Sequence, residues 1–135
     1  MNTHVNFEIA KLLRDKEYNL PCNYFYSDGE YTQAAYFRNH NDSSVHVFTA
    51  PTISDVIMWL YEKHGIWIMV TYNPEHKNWD YNYDNINWTK EEFDNKLKKD
   101  IEGFLESVLN PKPKFNSPIE AYEAAIEYVL KNLIK

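Results

Sequence analysis

Residues 50–72, APTISDVIMWLYEKHGIWIMVTY, contain the pattern that decides the fold, a capped helix that passes through one glycine into a strand. Thr52 and Asp55 have the spacing with which a hydroxyl and a carboxylate satisfy the free amides at a helix start. Gly65 can adopt the left-handed conformation that ends many helices. The apolar residues between them recur at helical spacing and predict a buried stripe made of Ile53, Val56, Ile57 and Leu60. The stretch therefore predicts a helix followed by a strand.

The strand after this helix, IWIMVTY at 66–72, is apolar on both alternations, which predicts a central strand covered on both faces. After a turn, WDYNYDNI at 79–86 alternates aromatic and polar residues, which is typical of a half-exposed strand. These two segments form one half of the predicted sheet.

Upstream, aromatic residues flank Asp28-Gly29, a dipeptide that fits a tight hairpin turn. The turn predicts strands at about 23–27 and 31–38, and the alternating sequence VHVFTA at 45–50 predicts another short strand. All the predicted strands together make one antiparallel sheet of four or five strands.

Three further helices are predicted. Residues 6–16 form a short amphipathic helix. A capping pair, Thr89 and Glu92, opens a long helix with an apolar side made of Phe93, Leu97, Ile101, Phe104, Leu105 and Val108. This helix ends at Asn110-Pro111, and the proline-rich residues 110–118 form a stiff connector.

The last helix has the strongest start signal, with Ser117 as cap, Pro118 at the first helical position and Glu120 closing the capping box. Its predicted buried stripe is Ile119, Tyr122, Ile126, Val129, Leu130 and Leu133. The fold prediction is a single α+β domain over residues 1–135, with three or four helices packed mainly on one face of the antiparallel sheet.

The charge balance disfavours nucleic acid as a direct partner. The chain carries 20 acidic and 14 basic side chains, a formal net charge of −6. Phosphate neutralisation dominates nucleic-acid affinity, and the densest group of lysines, at 96–99, lies among carboxylates. No apolar run approaches the ~20 residues that cross a bilayer, and the first residues lack a secretory signal pattern. We expect a cytoplasmic protein without a membrane partner.

Candidate catalytic and metal-binding residues do not form a complete motif. Asp80–Glu91 places oxygen ligands at several EF-hand positions, but an asparagine stands in the glycine slot and the segment also fits a strand, which we favour. The histidines lack the HExxH spacing, and His64 suits a solvated helix end, where an imidazole interacts well with the helix dipole. Cys22, the only cysteine, is predicted to be a small buried hydrophobe. We predict no catalytic residue, no metal site and no cofactor.

Aromatic residues are the most unusual feature of the composition, at 16% of the chain. They could pack under the helices, because aromatic residues are favoured in strands. If they are exposed, they form a recognition surface or a stacking platform. The candidate binding residues are Tyr72, Trp79, Tyr81, Tyr83 and Trp88.

Two blocks, APTISDVIMWLYEKHGIWI at 50–68 and FNSPIEAYEAAIEYVLKNLI at 115–134, resemble a family of short uncharacterised proteins of gut Bacteroides genomes and their phages and mobile elements. The resemblance covers about a third of the chain and implies a bacterial or phage origin. It implies no activity and carries over no functional residue.

These observations predict a non-enzymatic accessory protein that binds another macromolecule, most simply a protein, through an aromatic-rich surface. Homo-oligomers are a further possibility. The alternative is a small-molecule or nucleotide-binding protein that sequesters its ligand in a pocket made of the same aromatics. A hydrolase built from scattered carboxylates and histidines ranks last.

Overall fold

The computed structural model describes residues 3–42, 45–109 and 114–134, together with every side chain in these ranges except that of Ser107. These ranges contain four helices and two antiparallel sheets, so the predicted α+β class is confirmed. In chain order the elements are α1 (Phe7–Asp15), β1 (Cys22–Ser27), β2 (Glu30–Arg38), a 3-10 turn (His40–Asp42), β3 (Val47–Thr49), α2 (Ile53–His64), β4 (Ile66–Asn73), β5 (Asn78–Asn85), α3 (Lys90–Leu109) and α4 (Pro118–Asn132). The predicted helix end at Asn110-Pro111 lies outside the described residues.

The prediction of one sheet with four or five strands is wrong. The five strands divide into a three-stranded sheet of order β2-β1-β3 and a two-stranded sheet of β4 and β5. The predicted hairpin between β1 and β2 is confirmed, and its turn residues Asp28 and Gly29 both have positive φ. Helix α2 lies between β3 and β4 in the chain, and in the described residues β4 pairs along its whole length with β5.

The prediction that β4 is covered on both faces is also wrong. One face of β4 carries the buried residues Ile66 and Ile68, but Trp67 on the other face is 41% exposed. The Trp67 ring lies edge-on to Tyr61, with 5.6 Å between ring centroids. The apolar residues of β4 therefore form one buried face and one outward face. On the outward face, Trp67 and the neighbouring Tyr61 partly shield each other from solvent.

The helix of the opening stretch forms as predicted. The Thr52 hydroxyl accepts a hydrogen bond from the Asp55 amide at 3.1 Å, and Gly65 ends the helix at φ 70°. The predicted stripe, Ile53, Val56, Ile57 and Leu60, is buried throughout. The capping pair of α4 also forms, since the Ser117 hydroxyl accepts a hydrogen bond from the Glu120 amide at 3.1 Å.

The buried residues form one hydrophobic cluster that joins both sheets. Helix α4 lies against β4 and β5 and also contacts α1 and α2, while α1 packs on β3. The centre of the cluster is fully buried and consists of Ile9, Leu13, Ile53, Val56, Leu60, Ile126, Val129 and Leu130. Its members come from α1, α2 and α4, so these three helices and the two sheets share one core.

Helix α3 is the exception to the predicted helix packing. Its capping pair forms, with the Glu92 amide donating to the Thr89 hydroxyl at 3.2 Å. No described helix or strand makes an extensive contact with it. The apolar side that the sequence predicts stays exposed, from 41% for Leu97 to 67% for Phe104, and Leu109 at the helix end is 79% exposed. We call the α3 apolar face the group Phe93, Leu97, Ile101, Leu105, Val108 and Leu109; Phe104 on the same side of the helix is exposed as well.

Candidate functional site

The five aromatic residues that the sequence selects lie together on and just after the β4–β5 hairpin. Tyr72 and Trp79 are direct pairing partners, with ring centroids 4.9 Å apart. Tyr81 and Tyr83 point to the same face of β5 and reach Tyr128 of α4, with ring centroids 6.4 and 5.7 Å away. The face of β5 that carries these rings is therefore the face that α4 covers.

The structure answers the question of whether these aromatics are buried. Trp79, Tyr81, Tyr83 and Trp88 are half-buried, and Tyr72 is 48% exposed. Burial raises the pKa of the Tyr83 phenol, and a hydrogen bond to Tyr128 acts in the same direction. Most of this aromatic area is used for internal packing, and the larger apolar surface is the α3 apolar face.

Lys96 connects α3 to β5. Its Nζ donates to Asn82 Oδ1 and to Asp100 Oδ2, each at 2.7 Å. The same nitrogen lies 4.8 Å from the ring centroid of Tyr83 and 5.9 Å from that of Trp88, within the range of cation–π attraction. Only 12% of its side chain is exposed. The side of α3 that faces β5 is therefore polar, and the α3 apolar face is directed elsewhere.

An open cleft of about 470 Å³ lies between β5, α3 and α4. Two of its lysines are in ion pairs, Lys96 with Asp100 at 2.7 Å and Lys114 with Asp80 at 2.8 Å. These pairs neutralise most of the charge in the cleft, and the Lys114–Asp80 pair joins β5 to the segment before α4. The arrangement supports a structural role for the cleft better than recognition of an ionic ligand.

The strand prediction for the EF-hand-like segment is confirmed, because Asp80–Asn85 lies in β5. Alternation along the strand spreads these oxygen atoms along its length, and two of the side chains, Asp80 and Asn82, are hydrogen-bonded to lysines. Within the described ranges, no group of three or more His, Cys, Asp and Glu side chains is placed to hold a metal ion.

The prediction of a solvated His64 is wrong. Its ring is half-buried and lies edge-on to Trp59, with 4.9 Å between centroids. The Nε2 atom is buried and has no hydrogen-bond partner in the described part of the chain. Burial lowers the pKa of His64, and the neighbouring Lys63 adds to this effect. The helix end places His64 on the ring of Trp59, which lies five residues earlier in α2.

The lowered pKa of His64 predicts a pH-dependent stability. His64 binds a proton more tightly in the unfolded chain than in the folded protein. The stability that the neutral His64 contributes is therefore complete above its ordinary pKa of 6.5 and is lost as the pH falls below that value. We expect the urea midpoint to fall between about pH 7.5 and 5.5, and the fall to be smaller in His64→Gln. His76→Gln, in the exposed β4–β5 turn, is the matched control. Equal falls in the wild type and in His64→Gln would contradict this assignment.

A second cavity, of about 380 Å³, lies beside α2 and was not predicted from the sequence. Tyr18, Cys22, Asp55 and Trp59 are among its lining residues. Burial raises the pKa of the Cys22 thiol, which donates to the Ala50 carbonyl at 3.2 Å. Cys22 is thus the buried residue that the sequence predicts, and its chemistry does not suit a nucleophile.

A periodic signal for this cavity is present in the sequence. Asp55, Met58, Trp59 and Glu62 recur at the helical spacing i, i+3, i+4 and i+7, and all four line the cavity. They form a second face of α2 beside the buried stripe. The other walls come from distant parts of the chain, so spacing alone could not locate the site.

Comparisons with known proteins give no further assignment. Within the described residues, no helix has the length and apolar character needed to span a bilayer. No family model, no curated protein and no solved structure matches the chain.

Proposed function

We propose that this chain is a non-enzymatic accessory protein of bacterial or phage origin that binds another protein, and that the contact surface is the α3 apolar face. The observation that carries the proposal is the exposure of six large apolar side chains on one side of a 20-residue helix. Contiguous apolar surface of this kind usually marks an interaction site in a soluble protein. A helix laid into an apolar groove is a common form of such recognition.

The orientation of α3 supports this proposal. Lys96, paired with Asp100 on the next turn of α3, donates to Asn82 of β5 and attaches the polar side of the helix there, so the protein holds the apolar face outward. A helix that gains little from internal packing depends on its caps and side-chain pairs for stability. Contact with a partner would supply the missing packing.

The energies are sufficient for a contact of moderate strength. Fully burying a Leu, Ile, Val or Phe side chain contributes roughly 1.5–3 kcal/mol, so six side chains that are about half exposed contribute roughly 5–9 kcal/mol. Association itself costs about 4–15 kcal/mol. The partner must therefore present apolar surface of its own, which adds a comparable contribution.

The charge of the second half of α3 indicates what kind of partner surface it can bind. Asp100 is paired with Lys96, but residues 101–109 contain Glu102 and Glu106 and no Lys or Arg. These carboxylates disfavour nucleic acid and an anionic membrane surface. They favour an apolar segment flanked by Lys or Arg, such as a basic amphipathic helix.

The test uses a helical model peptide of leucine and lysine, titrated into the protein by calorimetry. We expect saturable binding to the wild type and a loss of about tenfold or more in affinity for Ile101→Glu, because a charge on the apolar face must lose its water on binding. Asn95→Glu is the matched control, since it adds the same charge on another side of α3. Absence of binding, or equal losses in the two variants, would contradict the proposal.

The oligomeric state is measured in parallel by sedimentation. A doubled mass for the wild type that is lost in Ile101→Glu would show that the α3 apolar face binds a second copy of this chain. In that case the proposed basic segment is not its partner. Native mass spectrometry of the protein from its host's lysate then identifies the natural partner.

A second candidate function is binding of a small molecule, which is favoured by the cavity beside α2. The aromatics that line this cavity differ from the five that the sequence selects. The nucleotide form of this alternative is disfavoured, because Asp55 and Glu62 in the wall would repel phosphate.

A further inference from the structure

We propose that the cavity beside α2 is a binding site for an organic ammonium ion that carries an apolar or aromatic group. The proposal is independent of α3, because no residue of α3 lines the cavity. Its volume of about 380 Å³ is large enough for a ligand of roughly the size of a small aromatic amine.

The first argument is the hydroxyl of Tyr18. Tyr18 is 2% exposed, its ring packs edge-on to Trp59 at 5.1 Å, and the residue lines the cavity. Its backbone carbonyl accepts a hydrogen bond from Asn41, but its hydroxyl has no hydrogen-bond partner among the described residues. Because Tyr18 lines the cavity, its hydroxyl is reached from there, and a ligand in the cavity can replace water as its hydrogen-bond partner.

The backbone before Tyr18 supports this placement. Glu17 adopts φ 65°, a left-handed conformation that non-glycine residues rarely take. The Tyr18 amide then donates to the Leu13 carbonyl at 2.9 Å, which closes the end of α1 and directs the chain back towards α2. The position of the ring is thus set by the backbone as well as by packing.

The second argument is charge. Asp55 and Glu62 stand two helical turns apart on the same face of α2 and both line the cavity. No Lys or Arg is among the lining residues. Burial lowers the pKa of His4, against the opposing effect of Asp55, so the imidazole is neutral at pH 7. The cavity wall therefore carries negative charge, which attracts cations and repels carboxylates and phosphates.

The third argument is the aromatic and apolar lining. Tyr18, Tyr24 and Trp59 surround the cavity, and aromatic rings attract ammonium groups through their negative faces. Leu20 and Met58 are exposed apolar side chains at the same place. An ammonium group would bind Asp55 and donate to the Tyr18 hydroxyl, while the rest of the ligand would lie on these apolar residues.

The direct test is a titration with phenethylammonium, followed by the indole NH signals of the four tryptophans. Trp59 should shift in a saturable manner, and Trp67, Trp79 and Trp88 serve as internal controls because they do not line the cavity. The neutral analogue 2-phenylethanol and the anionic phenylacetate should bind at least about tenfold more weakly, since they lose the charge-assisted contact with Asp55.

Two variants test the assigned groups. Asp55→Asn should weaken phenethylammonium binding by about fivefold or more, whereas Asp84→Asn, an exposed carboxylate on β5, should leave it unchanged. Tyr18→Phe should weaken binding while leaving the melting temperature of the free protein unchanged or higher, because the free protein makes no hydrogen bond with this hydroxyl. A merely structural Tyr18 would give the opposite pattern, with lower stability and unchanged binding.

A parallel titration with N-acetyl-lysine methylamide distinguishes a lysine side chain from a free amine as the source of the ammonium group. Tighter binding of either compound supports an ammonium site and identifies its source. The proposal is overturned if no ammonium compound shifts Trp59, if 2-phenylethanol binds equally well, or if Asp55→Asn has no effect. None of these results bears on the α3 apolar face, so the two proposals fail separately.

Discussion

Leu60→Ala is expected to lower the free energy of unfolding by ~2–5 kcal/mol, the usual cost of truncating a buried leucine. Leu60 is fully buried in the cluster that joins α1, α2, α4 and β4. Its removal loses transfer free energy and leaves a cavity that rigid neighbours cannot fill. Because a domain of this kind has ~5–15 kcal/mol of stability in total, urea denaturation followed by circular dichroism should show a large shift of the midpoint.

Leu97→Ala is the matched control for this prediction. Leu97 is a leucine on the α3 apolar face and is 41% exposed in the isolated chain. The same truncation there should cost less than ~1 kcal/mol, since little packing is lost and alanine is an excellent helix former. Similar losses in the two variants would mean that α3 packs into the core, and the proposed docking surface would fail with it.

Gly65→Ala is expected to destabilise the protein by roughly 1–2 kcal/mol, chiefly through left-handed backbone strain. Gly65 has φ 70°, and a Cβ atom built there would lie 2.6 Å from Asn87 Nδ2 and 2.9 Å from Ile86 Cγ1, so these two exposed side chains would also have to shift. The Gly65 carbonyl accepts a hydrogen bond from the Ile86 amide at 2.9 Å. Thermal denaturation should reveal the loss.

Gly103→Ala should instead increase the stability of the protein. Gly103 lies inside α3, and a Cβ atom there would meet nothing within 4 Å. Alanine is favoured over glycine in a helix interior by ~0.5–1 kcal/mol. We expect slower amide hydrogen exchange in α3 for Gly103→Ala. A destabilised Gly103→Ala variant, or an unaffected Gly65→Ala variant, would contradict the backbone assignments on which the fold description rests.

The candidate sites were only partly accessible to sequence reasoning. The sequence indicated that Tyr72, Trp79, Tyr81, Tyr83 and Trp88 belong together, and the hairpin does bring them together. It could not decide whether α4 covers them, because aromatic residues suit both a buried and an exposed strand face. The cavity beside α2 was missed because Tyr18 and Tyr24 come from segments far from Asp55 in the chain.

What the sequence alone determined about this protein is its local structure. Thr52, Gly65 and Ser117 set helix ends, and Asp28-Gly29 sets the hairpin turn, because these effects depend on groups only a few residues apart. The buried stripe of α2 was equally determined, since helical periodicity fixes which residues share a face.

Only the tertiary structure decided how these elements combine. The apolar residues of β4 and α3 predict that each element buries an apolar face. They do not specify which other element, if any, packs on that face. In the described residues, β4 and β5 pair with each other and not with the first sheet, and α4 packs against both of them. The outward direction of the α3 apolar face follows from Lys96, which binds Asn82 of β5. Both outcomes depend on contacts between residues distant in the chain, and such contacts leave no periodic pattern in a single sequence.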